Sequence, residues 1–71
     1  MACVNADGTV TRTAKKILRA LEHPLTVSEL AELVFLPLFM LRSSLRELTE
    51  YGLVQENEDT YRITDKGRKK L

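Results

Sequence analysis

The chain has 71 residues, of which 44% are hydrophobic and 30% charged, with a net charge of +1. This length allows one small domain, and the composition excludes both wholesale disorder and a fibrous protein. The single cysteine, Cys3, excludes an internal disulfide, while the longest uncharged apolar stretch, residues 33–41, is too short to cross a membrane. The first residues lack a signal-peptide pattern, so we expect a cytoplasmic location.

The chain begins with a segment that shows no hydrophobic period. Residues 1–10 are therefore predicted to form a flexible tail, followed by one domain over residues 11–71. A helix over about 12–22 follows, because apolar residues recur at helical spacing; these are Ala14, Ile17, Leu18 and Leu21. Thr11 or Thr13 can cap its start, and Pro24 ends it.

Two further helices are predicted in the middle of the chain. Thr26 and Glu29 have the spacing of a capping box, which predicts a short helix over about 27–34. A third helix runs from Pro37 or Leu38 to about Tyr51, with Gly52 placed to end it. Its inner stripe is predicted to be Leu38, Leu41, Leu45 and Leu48.

A hairpin and a short helix complete the predicted domain. Residues 53–56 and 60–64 are β-prone and flank the turn residues 57–59, and Thr64 can cap a last helix over 65–71 that Gly67 weakens. The predicted fold class is therefore α+β, mainly helical, with a three-helix core, a β-hairpin and a short C-terminal helix. The predicted core consists of Ile17, Leu18, Leu21, Leu30, Val34, Leu41, Leu45, Leu48 and Ile63.

Three sequence motifs resemble those of a known family. LTVSELA at 25–31, LRELTEYGLV at 45–54 and YRITDKG at 61–67 look like the winged helix-turn-helix DNA-binding domain of MarR-like and related prokaryotic and archaeal transcriptional regulators. The resemblance covers residues 13–71. It implies a winged helix-turn-helix fold, binding of double-stranded DNA, a helix over 38–51 in the major groove and a hairpin wing near the DNA backbone.

The resemblance also implies a set of DNA-contacting residues. The groove-facing positions would be Phe39, Arg42, Ser43 and Arg46, with Thr26, Ser28, Arg62 and Lys66 near phosphates. Arginine can contact guanine edges, serine can donate or accept a hydrogen bond, and an aromatic ring can touch a thymine methyl group. The alternative for Arg42 and Arg46 is that they are surface residues paired with Glu50 or other acids.

Two features depart from this family pattern and leave a second hypothesis open. The third helix begins with apolar residues, and the core cannot accept Phe39 and Met40 together with Leu38 and Leu41, because successive residues are 100° apart. The predicted wing tip, 56–59, carries three acids, which repel phosphate. Phe39 and Met40 are therefore a possible protein interface, either in a homodimer or with a partner in a larger assembly.

No enzymatic, metal or cofactor site is predicted. Cys3 and His23 each lack a neighbour suited to metal binding or nucleophilic catalysis, and the sequence contains no phosphate-binding glycine loop. We also expect no small-molecule ligand from the sequence.

Overall fold

The computed structural model describes residues 3–71. Its helices are α1 (Arg12–Ala20), α2 (Val27–Val34), α3 (Leu38–Glu50) and α4 (Asp65–Arg68), and its strands are β1 (Leu25–Thr26), β2 (Val54–Asn57) and β3 (Thr60–Ile63). The predicted α+β fold, with three helices, a hairpin and a short C-terminal helix, is confirmed.

Local side-chain chemistry sets the helix ends. Thr11 caps α1 by accepting a hydrogen bond from the backbone N–H of Ala14. At the start of α2, the Glu29 N–H donates to Thr26 Oγ1 at 3.1 Å, and the Thr26 N–H donates to Glu29 Oε1 at 2.9 Å. Gly52, just beyond α3, has a φ of +75°, a conformation that glycine adopts without steric cost. The capping box and the helix stop are therefore confirmed.

The sheet contains a strand that the sequence analysis missed. Its order is β1-β3-β2, and both pairs are antiparallel. In β1, Leu25 pairs with Tyr61 and Thr26 pairs with Thr60. This pairing joins the hairpin to the start of α2.

The nine residues predicted to form the core are all buried. The prediction for Leu38 is wrong, because its side chain is 47% exposed. Leu36, in the linker before α3, packs against the core, and the buried face of α3 begins at Leu41. Ser44 is also fully buried on this face.

The N-terminal segment is packed on the core, unlike the flexible tail predicted over 1–10. Val4 and Val10 form an antiparallel bridge, and Cys3 and Val10 are buried. Residues 1 and 2 lie outside the described residues. The carboxylate of Glu47, on α3, holds the segment: its Oε2 accepts the N–H of Cys3 at 2.9 Å and that of Val4 at 3.1 Å.

Burial raises the pKa of the Cys3 thiol, and the charge of Glu47 adds to this shift. The Ser44 hydroxyl lowers the same pKa, so it lies close to the thiol. The buried Ser44 hydroxyl has no hydrogen-bond partner among the described residues. The Cys3 side chain, fully buried, belongs to the hydrophobic core.

Gly67 allows α4 to pack closely on the start of the hairpin. A β-carbon at this position would collide with the carbonyl oxygen of Leu53 and lie 2.8 Å from Cγ1 of Ile63. The glycine that weakens α4 in isolation is thus required by tertiary packing.

Candidate nucleic-acid interface

The outward face of α3 carries the clearest candidate site. An open depression of about 310 Å³ is lined by Phe39, Arg42, Ser43 and Arg46. These four positions share a face because they follow the i, i+3, i+4, i+7 spacing of a helix. All four are exposed, so the structure brings together the groove-facing residues that the resemblance implies.

The two arginines of this depression are not engaged in ion pairs within residues 3–71. Both salt bridges found in that part of the chain belong to Arg68, which lies 3.4 Å from Glu22 and 2.9 Å from Asp65. The alternative that Arg42 and Arg46 pair with Glu50 is therefore not observed. Their guanidinium groups are free to contact an external acceptor.

Tyr61, on β3, does not line this depression but is electrostatically coupled to it, a link that the sequence analysis did not predict. Burial is the main cause that raises the pKa of Tyr61, and the charge of Glu56 and a hydrogen bond with it raise it further, while the charge of Arg42 lowers it. The charges of Glu56 on the wing and of Arg42 on α3 therefore both act on this hydroxyl. The alternation of Tyr61 and Ile63 predicted that one face of β3 covers the helices, but only the folded chain shows that the charge of Arg42 acts on Tyr61.

A comparison with protein families adds independent evidence. Residues 11–71 match the family described as winged helix-turn-helix. The chain belongs to this family. The searches of curated proteins and of solved structures returned no significant match. In this winged helix, α2 and α3 are the paired helices and the β2–β3 hairpin is the wing; kinship with MarR-like regulators stays a prediction.

The start of α2 offers fewer free groups than a phosphate site would use. The N–H and hydroxyl oxygen of Thr26 are both engaged with Glu29. The Glu29 carboxylate also places negative charge at the helix end that would face a phosphate. Ser28 is exposed, and neither its hydroxyl nor its backbone N–H takes part in the capping box.

Arg62 and Lys66 lie apart from the α3 depression. Arg62 alternates with Tyr61 along β3, so it points to the opposite face of the wing, where it donates to Gln55 Oε1 at 3.1 Å. Lys66 lies against Gly52 at the C-terminal end of α3, about 20 Å along the helix axis from Phe39. Contacts of these two residues with DNA stay predictions.

A second exposed surface adjoins the depression at the turn between α2 and α3. Its members, here called the turn patch, are Leu33, Phe35, Leu38 and Phe39, which are exposed by 56%, 84%, 47% and 73%. Phe35 adopts a left-handed φ of +56°, and Lys16 Nζ lies 5.9 Å from the centre of its ring. Met40, the next residue of α3 after Phe39, is half-buried. Phe39 belongs to both surfaces.

Neither a metal centre nor a membrane span is found in the part of the chain that the structure describes. Residues 3–71 contain no cluster of three histidine, cysteine or acidic side chains placed to hold a metal ion. The same residues form no helix that is long and apolar enough to cross a bilayer.

Proposed function

We propose that this winged helix binds double-stranded DNA and acts as a small, MarR-like, cytoplasmic transcriptional regulator. The observation that carries the proposal is the α3 depression, where two arginines that form no ion pair within residues 3–71 stand beside Phe39 and Ser43 on one exposed face. A single α-helix fits the major groove of B-DNA, and arginine is the side chain that most often makes specific contacts there.

Each side chain of the depression has a distinct role in this proposal. Arg42 and Arg46, one helical turn apart, contact guanine edges or adjacent phosphates, and Ser43 donates or accepts a hydrogen bond between them. Phe39 contacts thymine methyl groups. The charge of Arg42 acts on the Tyr61 hydroxyl, so the wing and α3 are electrostatically coupled.

The acidic wing weakens sequence-independent binding. Glu56, Glu58 and Asp59 are exposed, and negative charge near phosphate opposes the counterion release that supplies most non-specific affinity. We therefore expect base contacts by α3 to supply an unusually large share of the binding free energy. A homodimer that places two copies of α3 on one site would compensate for the weak wing.

Binding to random-sequence and selected duplexes over a salt series tests this proposal. The Arg42→Ala/Arg46→Ala variant should lose about 1–3 kcal/mol for each base-contacting arginine on a selected site. Arg12→Ala/Arg19→Ala is the matched control, because it removes the same two charges from the exposed face of α1. Equal losses in the two variants, or no loss in the first, would contradict a role for α3 in reading the sequence.

The turn patch supports a second candidate function, a protein-interaction winged helix in a larger assembly. Within the seven residues 33–39, the four large apolar side chains of the turn patch are exposed. Contiguous exposed apolar surface of a few hundred Å² marks interaction sites. Sedimentation of the parent chain beside Phe39→Ser/Met40→Ser tests it. A monomer at high concentration that also captures no partner would count against this function.

A further inference from the structure

The turn patch is bordered by opposite charges from two different helices. Lys16, on α1, borders it at Phe35, with Nζ 5.9 Å from the centre of the ring. Glu32 directly precedes Leu33 in α2, and both side chains are exposed. Neither Lys16 nor Glu32 forms an ion pair within residues 3–71, where both salt bridges belong to Arg68. The patch therefore combines an apolar centre with a cation on one rim and an acid on another, each unpaired in that part of the chain.

The helices that carry these two residues extend the separation of charge. Arg12 and Arg19 are exposed on the same face of α1 as Lys16, and α1 contains no acid. Glu29 is exposed one turn before Glu32 on α2, which contains no basic residue. The α1 side of the patch is therefore cationic, and the α2 side is anionic.

Phe35, at the centre of this arrangement, occupies a backbone position that favours glycine. It ends α2 with a left-handed φ of +56°, where a β-carbon causes steric strain. Its ring is 84% exposed, so the fold gains little from burying it. An aromatic ring retained at a strained and exposed position points to a contact outside the chain.

We propose that the turn patch pairs with the turn patch of a second copy of this chain, and that the pairing covers part of the face that reads DNA. The inference rests on the second candidate function above and names its partner. A two-fold interface uses the same surface on both copies, so that surface must be complementary to itself. The turn patch meets this requirement: its apolar centre can face its own copy, while Lys16 meets Glu32 of the partner subunit and Glu32 meets Lys16 of the partner subunit.

This dimer opposes DNA binding because Phe39 belongs to both the turn patch and the α3 depression. It therefore differs from a homodimer that places two copies of α3 on one DNA site. The four apolar side chains offer a few hundred Å² per copy, less than the roughly 800 Å² of a standard interface, so the dimer is weak and depends on concentration. The chain's own concentration then sets how much of it is available to DNA.

Complementary charge reversals test the pairing in sedimentation equilibrium without DNA, over about 1 µM to 1 mM of the full chain. Lys16→Glu and Glu32→Lys should each weaken self-association roughly tenfold, because each replaces two ion pairs by two like-charge contacts. An equimolar mixture of these two variants should associate about as tightly as the parent chain, since the mixed dimer restores both pairs. Lys69→Glu and Glu50→Lys are the matched controls, with the same charge changes at exposed positions outside the patch, and each should sediment like the parent.

Phe35→Gly separates a contact role from a structural one. Glycine relieves the left-handed strain, so the variant should unfold at the same temperature as the parent chain or higher, while its dimer dissociates at least roughly tenfold more readily. Tyr51→Ala is the matched control, because it removes a half-exposed aromatic ring that lies outside the patch. It should sediment like the parent.

Three results would overturn the proposal. They are a parent chain that stays monomeric throughout the concentration range, a mixture of Lys16→Glu and Glu32→Lys that associates no better than either variant alone, and unchanged association in Phe35→Gly. A monomeric parent that binds a different protein through the patch would also overturn it, although the second candidate function would then stand. Because every measurement is made without DNA, failure of the DNA-binding proposal would leave these outcomes unaffected.

Discussion

Replacing Glu47 by alanine should release the N-terminal segment from α3. In the native chain the Glu47 carboxylate accepts two backbone hydrogen bonds, from Cys3 at 2.9 Å and from Val4 at 3.1 Å. A hydrogen bond to a charged group contributes about 1.5–3 kcal/mol when it is well shielded from water. This site is only partly buried, and water can solvate the released N–H groups. We therefore expect the free energy of opening the segment to fall by about 2 kcal/mol in total.

Labelling of Cys3 with a thiol reagent measures that opening directly. Cys3 is the only cysteine in the chain and is fully buried, and burial raises its pKa, so the thiol reacts only after the segment has opened. When opening and closing are fast, the labelling rate follows the open population. A loss of about 2 kcal/mol therefore corresponds to labelling roughly thirtyfold faster in Glu47→Ala.

Glu50→Ala is the matched control. It replaces a glutamate of the same helix by the same residue, and Glu50 is exposed and accepts no backbone N–H from the described part of the N-terminal segment, residues 3–10. Circular dichroism at the labelling temperature should show that the helices of both variants remain folded. Equal labelling rates in Glu47→Ala, Glu50→Ala and the parent chain would refute the assignment of Glu47 as the anchor of this segment.

Three further predictions follow from packing, burial and charge. Gly67→Ala should lower the free energy of unfolding by about 1–3 kcal/mol in urea, because the added β-carbon collides with the Leu53 carbonyl. The free energy of unfolding should be maintained below pH 9.0 and then fall as the pH rises through the raised pKa of folded Cys3, because the unfolded thiol ionises first. Glu58→Gln/Asp59→Asn should raise the affinity for random-sequence DNA several-fold at low salt, measured by anisotropy, because two charges that repel phosphate are removed.

For each of these three predictions, a specific result would contradict the reasoning. Alanine is ordinarily favoured over glycine in helices by about 0.5–1 kcal/mol, so stabilisation by Gly67→Ala would contradict the close approach. Cys3→Ala should flatten the alkaline decline, and an unchanged pH profile would assign the decline to other groups. Glu32→Gln/Glu50→Gln removes the same charge from the helices, and an equal gain in DNA affinity would show that the position of the wing acids is irrelevant.

The predictable parts of the fold depend on local patterns. The apolar stripe of α1, the Thr26–Glu29 capping box and the stop at Gly52 each depend on residues within one or two helical turns. The face shared by Phe39, Arg42 and the other lining residues of the depression was predictable for the same reason, since helical rotation alone brings them together.

The features that the sequence did not predict depend on distant contacts. Glu47 is 44 residues from Cys3, and no local period connects a carboxylate on α3 with two backbone N–H groups near the N-terminus. The strand β1 has only two residues, too few to show alternation. The electrostatic coupling of Tyr61 and Arg42 similarly depends on how the wing is placed relative to α3, which only the sheet order and packing determine.

Because Phe39 belongs to both the α3 depression and the turn patch, DNA and a protein partner should compete for it. Leu33 lies on α2, in the turn patch but outside the depression, so its substitution alters the patch without altering the depression. Leu33→Ser should weaken self-association, measured by sedimentation, and leave DNA affinity at the level of the parent chain or above it. Phe39→Ser should weaken both, because its ring lines the depression as well as the patch. If Leu33→Ser and Phe39→Ser change DNA affinity equally, DNA and a protein partner do not compete for Phe39. The apolar start of α3 then binds either DNA or protein, but does not alternate between them.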